Sequence, residues 1–289
     1  MHERTGAAAV VVGGDVRPAE RSADESNDGT GRSMVMPLAS WDHRSMCGRL
    51  NMSTDPADLA DELQIEMMTY TYAPRYNVPP GAPLPILVDR PDDEGTLFRR
   101  LETARWGLVP GWAKDEKIGF RAFNARSETV EDKPMFRKAF ESRRCVVPVT
   151  GYYEWHATET GKEPWLMHAA DGGPLFMAGL FEFRKRGEAD GPTADPAVRD
   201  GWLVSTTIIT APAAGHLAEL HDRMPVMLPR DLLAAWMDPG AGGAEAREML
   251  KALVADFDPG RVDRYRVSTA VGNVRNQGAE LAEPLGDEL

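Results

Sequence analysis

The sequence predicts an α+β fold, a mainly antiparallel, barrel-like β-sheet with flanking short helices. Three observations predict it. Strand-like runs are many and short, helix-like runs are few, and the two do not alternate regularly as they would around a parallel sheet. The 289 residues suffice for an ample core, and no internal repeat divides them.

Residues 1–45 read unlike the rest. They are rich in Gly, Ala, Ser, Asp and Arg with little apolar periodicity, and are expected to be a disordered leader or the product of a mis-assigned start. Met34, Met36 and Met46 are alternative starts. Residues 46–289 are expected to form a single domain. Residues 48–52 read as a short strand. Asp55-Pro56 starts a helix, with an acidic cap and proline at the first helical position, and Leu59, Leu63 and Met67 follow at helical spacing. Residues 75–81 are expected as an ordered non-helical loop, because two prolines and a glycine forbid a helix. Residues 84–88 and 96–101 read as strands around a turn at 91–95.

Residues 123–126 fit a strand, 134–143 a short helix, and 145–149 a strand running into 151–155. Residues 165–168 and 175–183 are expected to form a hairpin around Asp171-Gly172-Gly173. The polar insertion 184–200 is expected to be a mobile loop. A β-branched strand at 202–209 follows, then helices at 213–220, 231–237 and 244–257.

Composition narrows the function classes. Two cysteines are too few for a disulfide framework, and free thiols suit a reducing cytoplasm, the expected location. No apolar run approaches a membrane span, and the apolar run at 7–12 is too short for a signal peptide. The net charge of −12 argues against a general nucleic-acid coat protein but leaves room for a local basic groove. Nothing suggests an obligate oligomer, and a monomer is expected.

Phosphate-loop, dinucleotide, zinc-protease and G-x-S-x-G signatures are absent. Six histidines and two cysteines show no ligand spacing, so neither a metal nor a cofactor is expected. What remains is a set of single polar residues in apolar or aromatic surroundings. If Met46 is removed as a first residue, Cys47 in Met46-Cys47-Gly48-Arg49-Leu50 carries an amine and a thiol on adjacent carbons. The amine titrates near ~8 and the thiol near ~8.5, so both react at neutral pH. Such a 1,2-aminothiol condenses with an aldehyde and closes to a thiazolidine; otherwise Cys47 is a small buried residue at a strand start. Glu154 lies between Tyr153 and Trp155, where burial would raise its pKa and fit it for proton transfer, unless it faces solvent. His221-Asp222-Arg223 sets an imidazole beside a carboxylate and a guanidinium, or is simply a helix end. Asn124 and Arg126 alternate and share a face, where they could hold a phosphate or sugar or satisfy backbone groups. Trp112, Trp155, Met135 and Phe136 could stack bases or belong to the core. Cys145 reads as core, and Asn77 could be a turn residue only.

In this order, Met46-Cys47-Gly48-Arg49, Arg75-Tyr76-Asn77-Val78-Pro79-Pro80, Trp106-Gly107-Leu108-Val109-Pro110-Gly111-Trp112, Asn124-Ala125-Arg126-Ser127-Glu128-Thr129, Gly151-Tyr152-Tyr153-Glu154-Trp155, His221-Asp222-Arg223-Met224-Pro225 and Val271-Gly272-Asn273-Val274 resemble one family, the SOS-response-associated peptidases (SRAP). The matching pieces span residue 46 to about residue 285. The resemblance implies a sensor of abasic sites in single-stranded DNA. It would trap the ring-opened deoxyribose on an N-terminal cysteine as a thiazolidine crosslink and protect the lesion during the DNA damage response. The family name implies autoproteolytic exposure of that cysteine.

By the same resemblance, Cys47 is the nucleophile, Asn124 orients it and the sugar, Glu154 shuttles protons, and His221 assists ring opening and slow reversal. Arg49, Arg126 and Arg223 would hold phosphates. Asn77, Pro80, Trp112, Met135, Phe136 and Trp155 would line the strand and stack or wedge bases. The implied partner is single-stranded DNA with abasic sites, without membrane or cofactor, at the nucleoid on damage. Two features depart from the pattern. Residues 1–45 would block the α-amine of Cys47, which requires a start at Met46 or a cleavage. Ala113 follows Trp112 where a second tryptophan is common. Two other readings stay open: a cysteine hydrolase using Cys47 and His221, and a non-covalent binder of single-stranded DNA or modified bases in which Cys47 merely packs.

Overall fold

The computed structural model describes residues 48–68, 73–91 and 94–286. Cys47, Met46 and the leader expected at 1–45 lie outside the described residues. The first strand, β1 (Leu50–Met52), is followed by helix α1 (Pro56–Leu63). Asp55 caps α1 by accepting the Ala57 N–H at 2.8 Å, and Leu59 and Leu63 are buried. The helix stops at Gln64, which takes φ +54°. Met67 therefore leaves the helical face on which its spacing placed it. It opens β2 (Met67–Met68) and is 47 % exposed.

The segment expected as a loop at 75–81 begins as a strand, β3 (Arg75–Val78). The prolines come only after it, so its own N–H groups are free to pair with β1, Leu50 opposite Val78. The expected hairpin follows as β4 (Pro83–Pro91) and β5 (Leu97–Trp106). Then come β6 (Asn124–Arg126), α2 (Arg137–Ser142), β7 (Arg144–Val149), β8 (Gly151–Thr158), β9 (Gly161–Ala169) and β10 (Leu175–Lys185). Residues 215–219 form a 3₁₀ turn where a helix was expected. The remaining elements are β11 (Val198–Arg199), β12 (Trp202–Pro212), β13 (Arg223–Pro225), α3 (Leu233–Met237), α4 (Gly243–Ala255) and β14 (Val262–Arg266).

Five strands close a barrel in the order β12-β10-β7-β4-β5, with β5 returning to β12. Four of these ladders are antiparallel. An odd number of alternating strands cannot close without one parallel seam, and it falls at β5–β12, Ser205 opposite Arg105. Just past β5 the chain runs close against the 3₁₀ turn Glu116–Arg121. A Cβ on Gly107, at φ +133°, would stand 2.5 Å from the Gly119 carbonyl oxygen. A second sheet, β14-β9-β8-β1-β3, packs on one end of the barrel. Leu50, Val78 and Tyr152 from that sheet share one core with Ile86, Trp106, Val147 and Met177 of the barrel. The fold is thus α+β, as the sequence predicts.

Two further expectations fail. Residues 165–168 and 175–183 do not pair: β9 lies between β8 and β14, whereas β10 lies between β7 and β12. The Asp171–Gly173 turn hands the chain from one sheet to the other. The insertion at 184–200 is not a loose loop but is pinned by charge. Arg105 binds Glu116 and Asp195, each at 2.7 Å, and Arg184 binds Asp190 at 2.9 Å. Arg186 binds Glu116 at 2.6 Å. Three guanidiniums against three carboxylates neutralise one another out of bulk water.

Cys145 is core, as read, and burial pushes its thiol up to about 12. The neighbouring Arg144 is 3 % exposed and donates to the carbonyls of Phe140, Glu141, Trp236, Asp238 and Ala241 at 2.7–2.9 Å. It ties α2 and α3 to the barrel wall. Arg144→Met would strand several of those carbonyls. It is expected to cost roughly 3–5 kcal/mol, read as a lowered urea midpoint at unchanged slope.

Candidate active site and nucleic-acid interface

The site is built where β1 enters between β3 and β8. Leu50 sits opposite Tyr152, and the Tyr153 N–H donates to the Arg49 carbonyl at 3.0 Å. Continuing that antiparallel register brings Gly48 level with Glu154. The ladder is tight: a Cβ on Gly151 would meet the Met167 carbonyl oxygen at 2.5 Å. Along β8 the side chains alternate between faces. Tyr152 joins the core shared with the barrel, and Glu154, two residues on, lies on the same face and is buried. Tyr153 and Trp155 face the other way, with Leu166 and Val271.

Arg49 lies on that second face. Its guanidinium stacks over Trp155 at 5.6 Å and donates to Asn77 Oδ1 and, at 2.7 Å, to the Val271 carbonyl. Burial lowers its pKa to about 10, which leaves it charged at neutral pH. Its buried Nε has no hydrogen-bond partner. Asn77 was expected to line a DNA strand, but its side chain is wholly buried. Its Nδ2 donates to the carbonyls of Val271, Asn273 and Asn276 at 2.9–3.1 Å. Asn77 therefore positions Arg49 and the 268–276 segment rather than presenting a surface. Gln277, which sequence reasoning did not single out, closes the same knot by donating to the Asn77 carbonyl at 2.8 Å.

Asn124 and Arg126 do share a face, on β6, with buried Ala125 between them. β6 runs parallel along β12, Thr210 opposite Arg126. β13 runs along the other edge, with Pro225 opposite Thr210 and Arg223 opposite Pro212. Thus 124–126 and 221–225, nearly a hundred residues apart in the chain, flank the same end of β12. Arg126 is exposed and makes no side-chain hydrogen bond or ion pair among the described residues.

Arg223 is 8 % exposed, donates to the Thr210 carbonyl at 2.7 Å and grips both oxygens of Glu128, while its buried Nε has no hydrogen-bond partner. Glu128 was not foreseen as its partner. The only sequence signal was its place in the Asn124–Thr129 motif. The Arg223 guanidinium pulls the Glu128 carboxyl down to about 2. A carboxyl depressed in the folded state stabilises above its unfolded pKa, and that contribution disappears as pH falls from about 4.5 toward about 2. Glu128 is partly exposed, so solvent screening keeps the effect small. Glu128→Gln is expected to lower the melting temperature slightly at pH 7 and to match the parent at pH ~2, as thermal melts across pH would show.

His221 Nδ1 accepts the Arg223 N–H at 3.1 Å and also lies 2.9 Å from Asp222 Oδ1. One nitrogen cannot do both in one protonation state. The N–H is fixed by the backbone while Asp222 is largely exposed and free to turn, so the neutral ring carries its proton on Nε2.

Trp112 is 61 % exposed. With Met135, Pro134, Lys138 and Phe183 it lines a cleft of about 330 Å³. Phe136 packs in the core with Ala139 and Phe140, and Pro80 is buried. Among the described residues no group of three or more His, Cys, Asp or Glu side chains could hold a metal ion, and no helix is long and apolar enough to cross a membrane.

A family model described as SOS response associated peptidase (SRAP) matches residues 46–274. The chain belongs to this family. Its SRAP relatives include the abasic site processing protein YedK of Escherichia coli, 34% identical over 248 residues, covering 83% of this chain and 100% of the relative. Abasic site processing protein YoaM of Bacillus subtilis is 32% identical over 242 residues, covering 82% and 98%. Among solved structures, a protein of Bacteroides thetaiotaomicron shares the SRAP-chain fold at TM-score 0.64 and 23% identity, covering 77% of this chain and 93% of that one. A phage-related protein of Bordetella bronchiseptica does so at TM-score 0.55 and 30% identity, covering 77% and 95%.

Proposed function

We propose that this SRAP chain processes abasic sites in DNA by bonding covalently to them through Cys47. The observation that carries this reading is that relatives matching about four-fifths of the chain are named abasic site processing proteins. The substrate is the ring-opened deoxyribose, whose C1′ is an aldehyde. With Cys47 as first residue, its amine adds to C1′ and water leaves, giving a Schiff base. The Cys47 thiolate then adds to the same carbon while the nitrogen takes up a proton, closing the thiazolidine. Removal of residues 1–46 is a prerequisite, by initiation at Met46 and loss of that methionine or by hydrolysis of the 46–47 peptide bond by the chain itself.

Each step needs a proton moved on the nitrogen or the oxygen bonded to C1′. Glu154, level with Gly48, takes it from the amine and returns it to the departing oxygen. The Nε2–H of His221 assists opening of the sugar ring and slow reversal, and Asn124 orients cysteine and sugar. Exposed Arg126 holds a flanking phosphate, and Arg49 draws a second through its unpartnered Nε. Exposed Trp112 and Met135 take the bases that flank the lesion, occupying the space of a complementary strand and favouring single-stranded DNA. The protein acts as a monomer at damaged nucleoid DNA.

The test incubates the chain with Cys47 exposed, verified by intact mass, with single-stranded, duplex and lesion-free oligonucleotides. Products are run on a denaturing gel without borohydride. A shifted band only with the abasic single strand is the expected result. Retention of the strand in a native gel without a denaturant-stable band would replace this reading by non-covalent binding.

A further inference from the structure

We infer that Arg184 is a positioning residue for strand binding: it clamps the backbone behind Trp112 and so holds that ring at the cleft. The inference rests on the reading that Trp112 takes a base beside the lesion, and it gives the 184–200 insertion a part in that reading.

An exposed ring on a turn is a poor platform unless the turn is fixed. Most of the Trp112 surface is in solvent, so packing on the ring does little to hold it. Its turn closes where the Ala113 N–H donates to the Pro110 carbonyl at 2.9 Å. The turn lies against the end of β10, where a Cβ on Gly111 would stand 3.2 Å from the Phe183 carbonyl oxygen. The carbonyls that follow the ring are then caught from behind. Arg184 Nε donates to the Ala113 carbonyl at 2.7 Å and Nη2 to the Lys114 carbonyl at 3.1 Å. A planar guanidinium that binds two successive carbonyls fixes both peptide planes at once, which the compact ammonium of a lysine does not.

Arg184 can clamp because its own plane is fixed. It is 5 % exposed, its Nη1 donates to Asp190 at 2.9 Å, and the same nitrogen lies 3.4 Å from Glu116. Asp190 also accepts the Gly187 N–H at 2.8 Å, and Glu116 is held by Arg105 and Arg186. Packing closes the other side: Ala113 is buried with Val109, Ala197 and Leu203. The insertion therefore supplies Asp190 and Ala197 to a brace behind the ring. A ring held in place before the strand arrives loses less conformational freedom when a base stacks on it. These partners take no part in the crosslinking chemistry, so the brace should act on strand affinity and leave the chemical step alone.

The test reads affinity and chemistry separately on the chain with Cys47 exposed. Fluorescence anisotropy with a labelled lesion-free single strand gives the affinity, and single-turnover crosslinking at saturating abasic strand gives the rate. Arg184→Met should weaken the strand about tenfold, the order of one base–aromatic stack, with the saturating rate unchanged. Arg184→Lys keeps the charge facing Glu116 and Asp190, is the safer variant for folding, and should weaken the strand about threefold. Melting curves check both, and Arg184→Lys decides if Arg184→Met does not fold. On a Trp112→Ala background neither change should weaken the strand further, because the brace acts through the ring. Parental affinity in the folded variants overturns the inference, as does a loss that persists in full without Trp112. A parent that binds the strand but forms no crosslink removes the covalent reading and leaves this affinity test standing. A parent that crosslinks beside Arg184 variants of equal affinity removes this inference alone, and a parent that binds no strand removes both.

Discussion

Cys47→Ala, in a chain whose residue 47 is first, should give no denaturant-stable product with an abasic strand, a complete loss rather than a reduction. Alanine keeps the α-amine, so the Schiff base can still form. It has no thiolate to add to the imine carbon, and an unclosed Schiff base is hydrolysed on the gel. Adding borohydride should therefore recover a band from Cys47→Ala. That recovery separates loss of the sulfur from loss of folding or of DNA binding. A chain that retains residues 1–46 has neither free amine nor closing ring and should give no band under either condition. Stable crosslinking by Cys47→Ala, or by the chain with residue 47 blocked, would remove the aminothiol mechanism. The same blocked chain tests the cysteine-hydrolase alternative, whose nucleophile needs no free amine.

Glu154→Gln should slow crosslinking by about 10²–10⁴-fold while leaving strand affinity nearly unchanged. The glutamate is held by β8 on the side facing the barrel and is only 5 % exposed, so bulk water cannot easily take over its proton transfers. Glutamine keeps the shape and a hydrogen-bonding oxygen but cannot carry a proton between amine and departing oxygen. Single-turnover rates at saturating abasic strand, taken between pH 5 and 9, measure it. The parent rate should vary with pH through both the α-amine and a carboxyl, and the variant through the amine alone. An unchanged rate, or a loss confined to strand affinity, would reassign Glu154 to a purely structural part.

Local signals were legible without the structure. The Asp55 cap with Pro56, the β4–β5 hairpin, the buried strand around Cys145 and the shared face of Asn124 and Arg126 all follow from bonds or periods spanning a few residues. The motifs carrying Arg49, Glu154 and His221 were legible as a set, because their order along the chain matched one family. Partners were not. Residues 165–168 and 175–183 read as strands, but a strand apolar on both faces fits several neighbours. The short turn between them favoured a hairpin that the barrel overrode.

Charged residues misled in the same way. The insertion at 184–200 looked solvent-bound because its partners, Arg105 and Glu116, lie some seventy to ninety residues back. That Arg223 grips Glu128 and Asn77 holds the 268–276 segment was not legible either, because those partners are distant in the chain.

The sequence by itself determined the α+β class, most of the strands and the family to which the chain belongs. These rest on periodicity, capping and motif order, all written along the chain. Only the tertiary structure decided that five strands close with one parallel seam, and that Glu154 and Arg49 part onto opposite faces of one sheet. It also decided which arginines are already bound to the protein and which still have donors to offer. Those outcomes depend on what lies across a ladder or around a barrel, and sequence separation carries no record of it.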